Sequence, residues 1–154
     1  MMNAVTLRER NKAVIYVTSG DHLLVFREPD YPEVGVQPPG GTINPGESIE
    51  AGAVRELSEE TGIAIPEQAL VRLGDHVHEY VSGDTLHRHR RYFFHCMVDE
   101  DTRRTWRRVE TNPDGADHEI IFALYWASLR DTLDLSAGLG RYLAAVRERL
   151  GITP

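Results

Sequence analysis

A chain of 154 residues has the length of one domain, here taken as 1–154, and is long enough to bury a core. With 41% hydrophobic and 27% charged residues it has an ordinary globular make-up, without repeat, low-complexity tract or linker. The net charge of −7 argues against a polymeric nucleic-acid partner held by bulk electrostatics. The longest apolar stretch, 120–127, is far too short to span a membrane.

In chain order, Arg8, Arg10 and Lys12 precede the first short apolar run, and no signal peptide is visible there. KAVIYV and HLLVF, separated by Ser19-Gly20-Asp21, predict a β-hairpin over 12–27 that Arg27 closes. Pro29, Pro32 and Gly35 mark a loop that is too proline-rich for a helix. A helix is expected from about Ser48, a plausible N-cap, to Thr61, with Gly62 as the stop. Its Val54, Leu57 and Thr61 are expected to pack on a sheet. Gly52 either makes room beside the acidic face or allows close packing. Strand character returns from Val71 to Val98, broken by Ser82-Gly83-Asp84. Residues 99–117 read as polar, with Asn112-Pro113-Asp114-Gly115 as a turn. A buried strand follows over 120–127, and Leu139, Tyr142, Leu143, Val146 and Leu150 recur at helical spacing. This order suits a mixed β-sheet covered by helices, an α/β/α sandwich. The single Cys96 cannot form an internal disulfide, which favours a reducing, cytoplasmic setting.

The chemistry concentrates in residues 41–63. On a helix, Glu56, Glu59 and Glu60 fall within about 100° of arc as i, i+3 and i+4 neighbours. Like charges at that spacing repel by a few tenths of a kcal/mol per pair. A hard divalent cation would relieve the repulsion, since Mg²⁺ prefers carboxylate and phosphate oxygens. A solvated acidic face is the simpler alternative.

The wider pattern bears on that choice. Gly41, Glu47, Arg55, Glu56, Leu57, Glu59, Glu60, Gly62 and Ile63 fit G-x5-E-x7-R-E-U-x-E-E-x-G-U, with U a bulky aliphatic. This resembles the box of the Nudix hydrolases at every fixed position. The resemblance implies the α/β/α sandwich and divalent-metal-dependent hydrolysis of a phosphoanhydride. The substrate it implies is a nucleoside diphosphate linked to another moiety, a small nucleotide-derived molecule. It implies Mg²⁺ or Mn²⁺ on Glu56, Glu59 and Glu60, helped by the Gly40 carbonyl, with Glu47 and Arg55 pairing to steady that face. The general base would be Glu59 or, from the loop before the buried strand, Glu119 of Asp117-His118-Glu119. Arg27 resembles the arginine many family members place on substrate phosphate. Because the family often dimerises, a homodimer is also expected.

The remaining signals are weaker. Seven of the 17 basic residues lie between Arg88 and Arg108, either a solvated face or a phosphate contact. His87, His89, Arg91, Phe93 and His95 alternate on one face of a strand, and Arg88, Arg90, Tyr92 and Phe94 on the other. That pattern offers Arg91 and its neighbouring histidines as substrate contacts and carries little support for a separate zinc site. Tyr16, Phe26, Tyr31, Tyr92 and Phe94 are the aromatic residues available to stack a base or to fill the core. Two other functions compete: a non-catalytic nucleotide or metabolite sensor, which would be expected to lose box carboxylates, and an RNA 5′-end hydrolase, which the net charge disfavours.

Overall fold

The first strand is longer than its apolar run. The mostly polar residues 6–11 extend it because a neighbouring strand supplies backbone partners along nearly the whole length. The computed structural model describes residues 4–111 and 118–154. Seven strands make one mixed sheet: β1 (Thr6–Ser19), β2 (His22–Arg27), β3 (Gly40–Thr42), β4 (Val71–Ser82), β5 (Thr85–Met97), β6 (Trp106–Thr111) and β7 (Glu119–Ser128). The order is β4-β5-β1-β2-β7-β6, with β3 paired to β1. Among the described strands only the β1–β5 pair is parallel. Two helices, α1 (Ile49–Thr61) and α2 (Leu143–Leu150), cover opposite faces.

Alternation along β1 divides the core in two. Ala13, Ile15 and Val17 join Leu24, Phe94, Leu124 and the α1 residues Ala53 and Leu57. Val14 and Tyr16 join Leu23, Phe93 and the α2 residues Leu143 and Val146. Gly74 belongs to the second layer. A Cβ there would lie 2.6 Å from Cζ of Tyr142, so the missing side chain lets that ring sit on β4.

Several expectations change. Val54 is only half-buried, and Ala53 takes the core position beside Leu57 and Thr61. The segment read as polar over 99–117 contains β6, whose outward residues hid its pairing with β7. Residues 112–117, with the expected turn, lie outside the described residues. The C-terminal helix starts at Leu143, because Leu139 and Tyr142 belong to a preceding turn that closes on the Tyr16 hydroxyl.

One irregularity positions the site. β1 meets β2 only at Thr18↔Leu23 and Ser19↔His22, while Lys12 to Val14 pair with β3 instead. The two long strands therefore splay, and β3 enters the gap. Gly40 must be a glycine there, since a Cβ would strike the Ala13 carbonyl.

Candidate active site

α1 is firmly bounded. The Ser48 hydroxyl accepts from the Ala51 N–H at 3.1 Å, and Gly62 closes the helix in the left-handed region at φ 80°. β6 then binds the last carbonyls: Trp106 Nε1 donates to Thr61 O at 2.8 Å and Arg108 Nη2 to Glu59 O at 3.2 Å. A helix held at both ends presents its side chains from fixed positions.

Arg55 organises one side of the acidic face. It donates to both Glu47 oxygens at 2.6 and 3.1 Å, to Glu56 at 3.0 Å, to Glu59 at 3.1 Å and to the Thr42 carbonyl at 2.9 Å. Arg55 holds Glu47 below the usual carboxylate range, and the Asn44 N–H at 2.7 Å adds to this. Glu56 moves the other way. Burial raises its pKa more than Arg55 lowers it, and Glu59 and Glu110 push it further up. Glu60 is raised well above its ordinary value by burial, against the Gly40 N–H that it accepts at 2.8 Å, and then by Glu56, Glu110 and Glu28.

The glycines give these carboxylates their room. A Cβ on Gly41 would collide with the Glu56 carboxylate, and one on Gly52 would lie 2.6 Å from Ile43 and 2.9 Å from Glu47. Gly52 therefore serves close packing of the β3–α1 corner.

An open cleft of about 510 Å³ lies over this face, lined by Glu56, Glu60, Glu110, Glu28, Arg10 and Lys12 among others. A smaller cavity of about 200 Å³ passes through the splay between β1 and β2. It shares Lys12, Phe26, Gly40 and Glu60 with the cleft and reaches His89, Arg91 and Leu139 on the other side. Glu59 lines a third, of about 180 Å³, with Glu56, Glu60, Arg108 and Glu110.

The structure thus brings together Gly40, Glu47, Arg55, Glu56, Glu59 and Glu60, and connects Arg91 to them. Two expected residues lie elsewhere. Arg27 is exposed over the Tyr125 ring at 5.9 Å, on the sheet face opposite Phe26, and lines none of these cavities. Glu119 is exposed at the start of β7 opposite Thr111, while its neighbours Ile120 and Phe122 face the cleft. At Gly40 the group that meets Glu60 is the N–H, not the carbonyl. Among the proposed stacking aromatics, Tyr16 and Phe94 are fully buried and only Phe26 reaches the cleft. Lys12, Glu28 and Glu110 went unnoticed in the sequence. Glu110 could have been found only by recognising β6.

The donors suit a hard divalent cation: they are oxygens, they repel one another, and two are partly desolvated. Among the described residues no three His, Cys, Asp or Glu side chains converge at ligand distance, since Arg55 bridges Glu56 to Glu59 and Gly40 holds Glu60. Arg55 engages one oxygen each of Glu56 and Glu59, while Glu47 holds it through both of its own.

Register sorts the histidines. On the α2 side of the sheet, three rows run across β1, β5 and β4: Arg8–His87–Tyr80, Arg10–His89–His78 and Lys12–Arg91–His76. Burial, followed by Lys12 and Arg91, lowers His89 to about 4, and burial, followed by Arg91, lowers His78. Both shifts favour the neutral imidazole. His95 is structural: buried, it meets the Thr18 hydroxyl at 2.8 Å and accepts at Nδ1 from Arg149 at 3.1 Å.

Solved structures share this architecture. A MutT NUDIX hydrolase from Burkholderia pseudomallei aligns at TM-score 0.62 and 22% identity, over 90% of this chain and 98% of that one. The NUDIX domain of Shewanella oneidensis NrtR, solved with ADP ribose, aligns at 0.64 and 16%, over 93% and 89%. A C. elegans Ap4A hydrolase binary complex aligns at 0.57 and 18%, over 92% and 98%. No curated protein sequence matches significantly. The NUDIX domain family model matches residues 8–146, nearly the whole chain, and the complete box lies within that span. This chain therefore belongs to the NUDIX domain family.

Proposed function

We propose that the chain, as one domain over 1–154, hydrolyses a phosphoanhydride bond in a nucleoside diphosphate linked to another moiety, with Mg²⁺ or Mn²⁺. The observation that carries this reading is that Glu56, Glu60 and Glu110 line one cleft, which continues past Lys12 to Arg91. Carboxylates alone would repel a polyphosphate, so a cation is needed between them, and basic residues farther along suit the rest of the anion.

Glu56, Glu59 and Glu60 would hold the cation, with a Gly40 backbone oxygen as a further donor. When bound, the cation lowers the pKa of water and neutralises phosphate charge. Glu47 keeps Arg55 anchored, so the helix face stays in place when its other carboxylates turn to a ligand. Lys12 and Arg91 bind phosphate oxygens along the cavity. Glu59 takes the role of general base, because its side chain is the more exposed one on the helix face and lines the carboxylate groove. Glu119 is the competing base and Arg27 an outlying substrate contact. Both lie outside the cavities, and substitution at each separates the roles. We read the setting as cytoplasmic from the single buried Cys96. No helix among the described residues is long and apolar enough to cross a membrane.

The test is phosphate release from a panel of nucleoside-diphosphate derivatives with Mg²⁺ or Mn²⁺, using Glu60→Gln as the blank. A hit that vanishes in the variant is expected. Silence across the panel with metal binding intact would replace hydrolysis by nucleotide sensing.

A further inference from the structure

The cavity that passes Glu60 does not end at Arg91. A second groove, of about 610 Å³, shares that arginine and runs between β4 and the loop over 133–141, lined by His76 and His78 from the strand and by Asp134 and Arg141 from the loop. Past the groove, the same sheet face carries a ledge of flat rings. Tyr80 and His87 stack at 4.6 Å with 8° between planes, and His89 meets Tyr80 edge-on at 5.4 Å. Tyr80 is 43% exposed, so part of this residue stays in water.

Two further observations point to an anionic, aromatic occupant. Arg91 is half-buried and donates to the Ala137 carbonyl at 2.6 Å, with no carboxylate in ion-pair contact among the described residues. A partly desolvated guanidinium in that position favours an anion. On β4 and β5 this face carries His76, His78, Tyr80, His87, His89 and Arg91, with no Asp or Glu among them, whereas the opposite face of the same two strands holds Asp75 and Glu79 in ion pairs with Arg90 and Arg88.

We propose that this groove and ledge hold the far half of an extended substrate: a second nucleoside phosphate, with its phosphate at Arg91 and its base on Tyr80 and His87. The chain then acts on dinucleoside polyphosphates in preference to mononucleotides. From Arg91 to His87 is four residues of strand, about 13 Å, so a ligand that spans the carboxylates and the ledge carries a second ring beyond the phosphate at Arg91. Base–aromatic stacking tolerates any base, so the ledge selects for the presence of a second ring and leaves its identity open. This inference rests on the hydrolase reading above and deepens it.

The test compares kcat/KM for a dinucleoside tetraphosphate and the matching nucleoside triphosphate with Mg²⁺. The wild-type chain is expected to favour the dinucleotide at least tenfold, and Tyr80→Ala to reduce that preference about tenfold through KM. Tyr80→Phe should restore it, and Arg90→Ala, on the opposite face, should change neither substrate. A wild-type ratio near one, or equal losses on both substrates in Tyr80→Ala, would overturn the proposal. A second measurement separates it from the reaction class: equilibrium binding of a fluorescent dinucleoside tetraphosphate to Glu60→Gln, with and without Tyr80→Ala. Tenfold weakening supports the ledge even if nothing is cleaved, an outcome that would sink only the hydrolase reading. Unchanged binding sinks the ledge whatever the activity. A 5′-triphosphorylated RNA held more tightly than the dinucleotide, with the same dependence on Tyr80, would overturn the dinucleotide assignment.

Discussion

Two acidic regions of this molecule use the same residue types to opposite ends. On the outer ribbon of β1, β4 and β5, Arg88 bridges Glu9 and Glu79 at 2.8 Å each, and Arg90 meets Asp75 at 2.7 Å. All five are well exposed, so two guanidiniums offset most of the charge of three carboxylates, and water screens the rest. On α1, Arg55 alone meets Glu47, Glu56 and Glu59, while Glu60 rests on a backbone N–H. There the carboxylates outnumber the guanidinium, and burial raises the proton affinity of two of them. A nearly balanced, solvated set has little to gain from a ligand. An unbalanced, desolvated set gains counter-charge from one, which is why the second region is the candidate site.

Substitutions can break or sharpen that contrast. Glu60→Gln is expected to have the largest effect, lowering turnover on the order of 10²–10³-fold, by the scale of other single electrostatic contributors. It should leave the fold at least as stable, because it removes a partly desolvated charge; lost cooperativity in urea unfolding would contradict the contrast. Arg55→Ala should lower stability by about 2 kcal/mol, since it strands Glu47 and Glu56 without their shared partner. An unfolding midpoint unchanged by that variant would make the α1 network as dispensable as the ribbon. Saturating Mg²⁺ at a hundred times its Kd should stabilise the wild type by about 2.7 kcal/mol, and Glu60→Gln by clearly less. Equal shifts in the two proteins would move the cation off α1.

His95 gives a pH signature that neither acidic region shares. Burial, with Arg149 beside it, holds this imidazole down to about 4 from 6.5, so the unfolded chain binds the extra proton between those values. Its stability contribution is present above the unfolded pKa and is lost as pH falls through the folded one, about 3 kcal/mol in all. His95→Gln should flatten the thermal-melting profile between pH 6.5 and 4. The smallest effect belongs to the ribbon: Arg90→Ala should cost under about 0.5 kcal/mol, and a larger loss would show that its ion pair with Asp75 is structural.

Much of the candidate site was legible because it is local. Glu47, Arg55, Glu56, Glu59 and Glu60 lie within one turn and one helix, where spacing alone decides which side chains share a face. Ser48 and Gly62 cap that helix where the sequence places them. Arg27 and Glu119 were a different kind of expectation. Each sits one residue from a position that faces the cleft, and a one-residue difference on a strand moves a side chain to the other face of the sheet. Glu110 was missed for a related reason: its strand has five exposed positions of six and looks like a loop until β7 pairs with it.

By itself, the sequence determined the box helix, its caps, the acidic face and the two-residue alternation of His87 to His95, all of which follow from backbone periodicity. Only the tertiary structure decided that β1 splays from β2 to admit Gly40, that Glu110 joins Glu56 and Glu60, and that Arg91 links the carboxylate cleft to the Tyr80 ledge. Those facts depend on which distant strands pair and in what register, and long-range pairing is settled by the burial of the whole sheet rather than by any local run of residues.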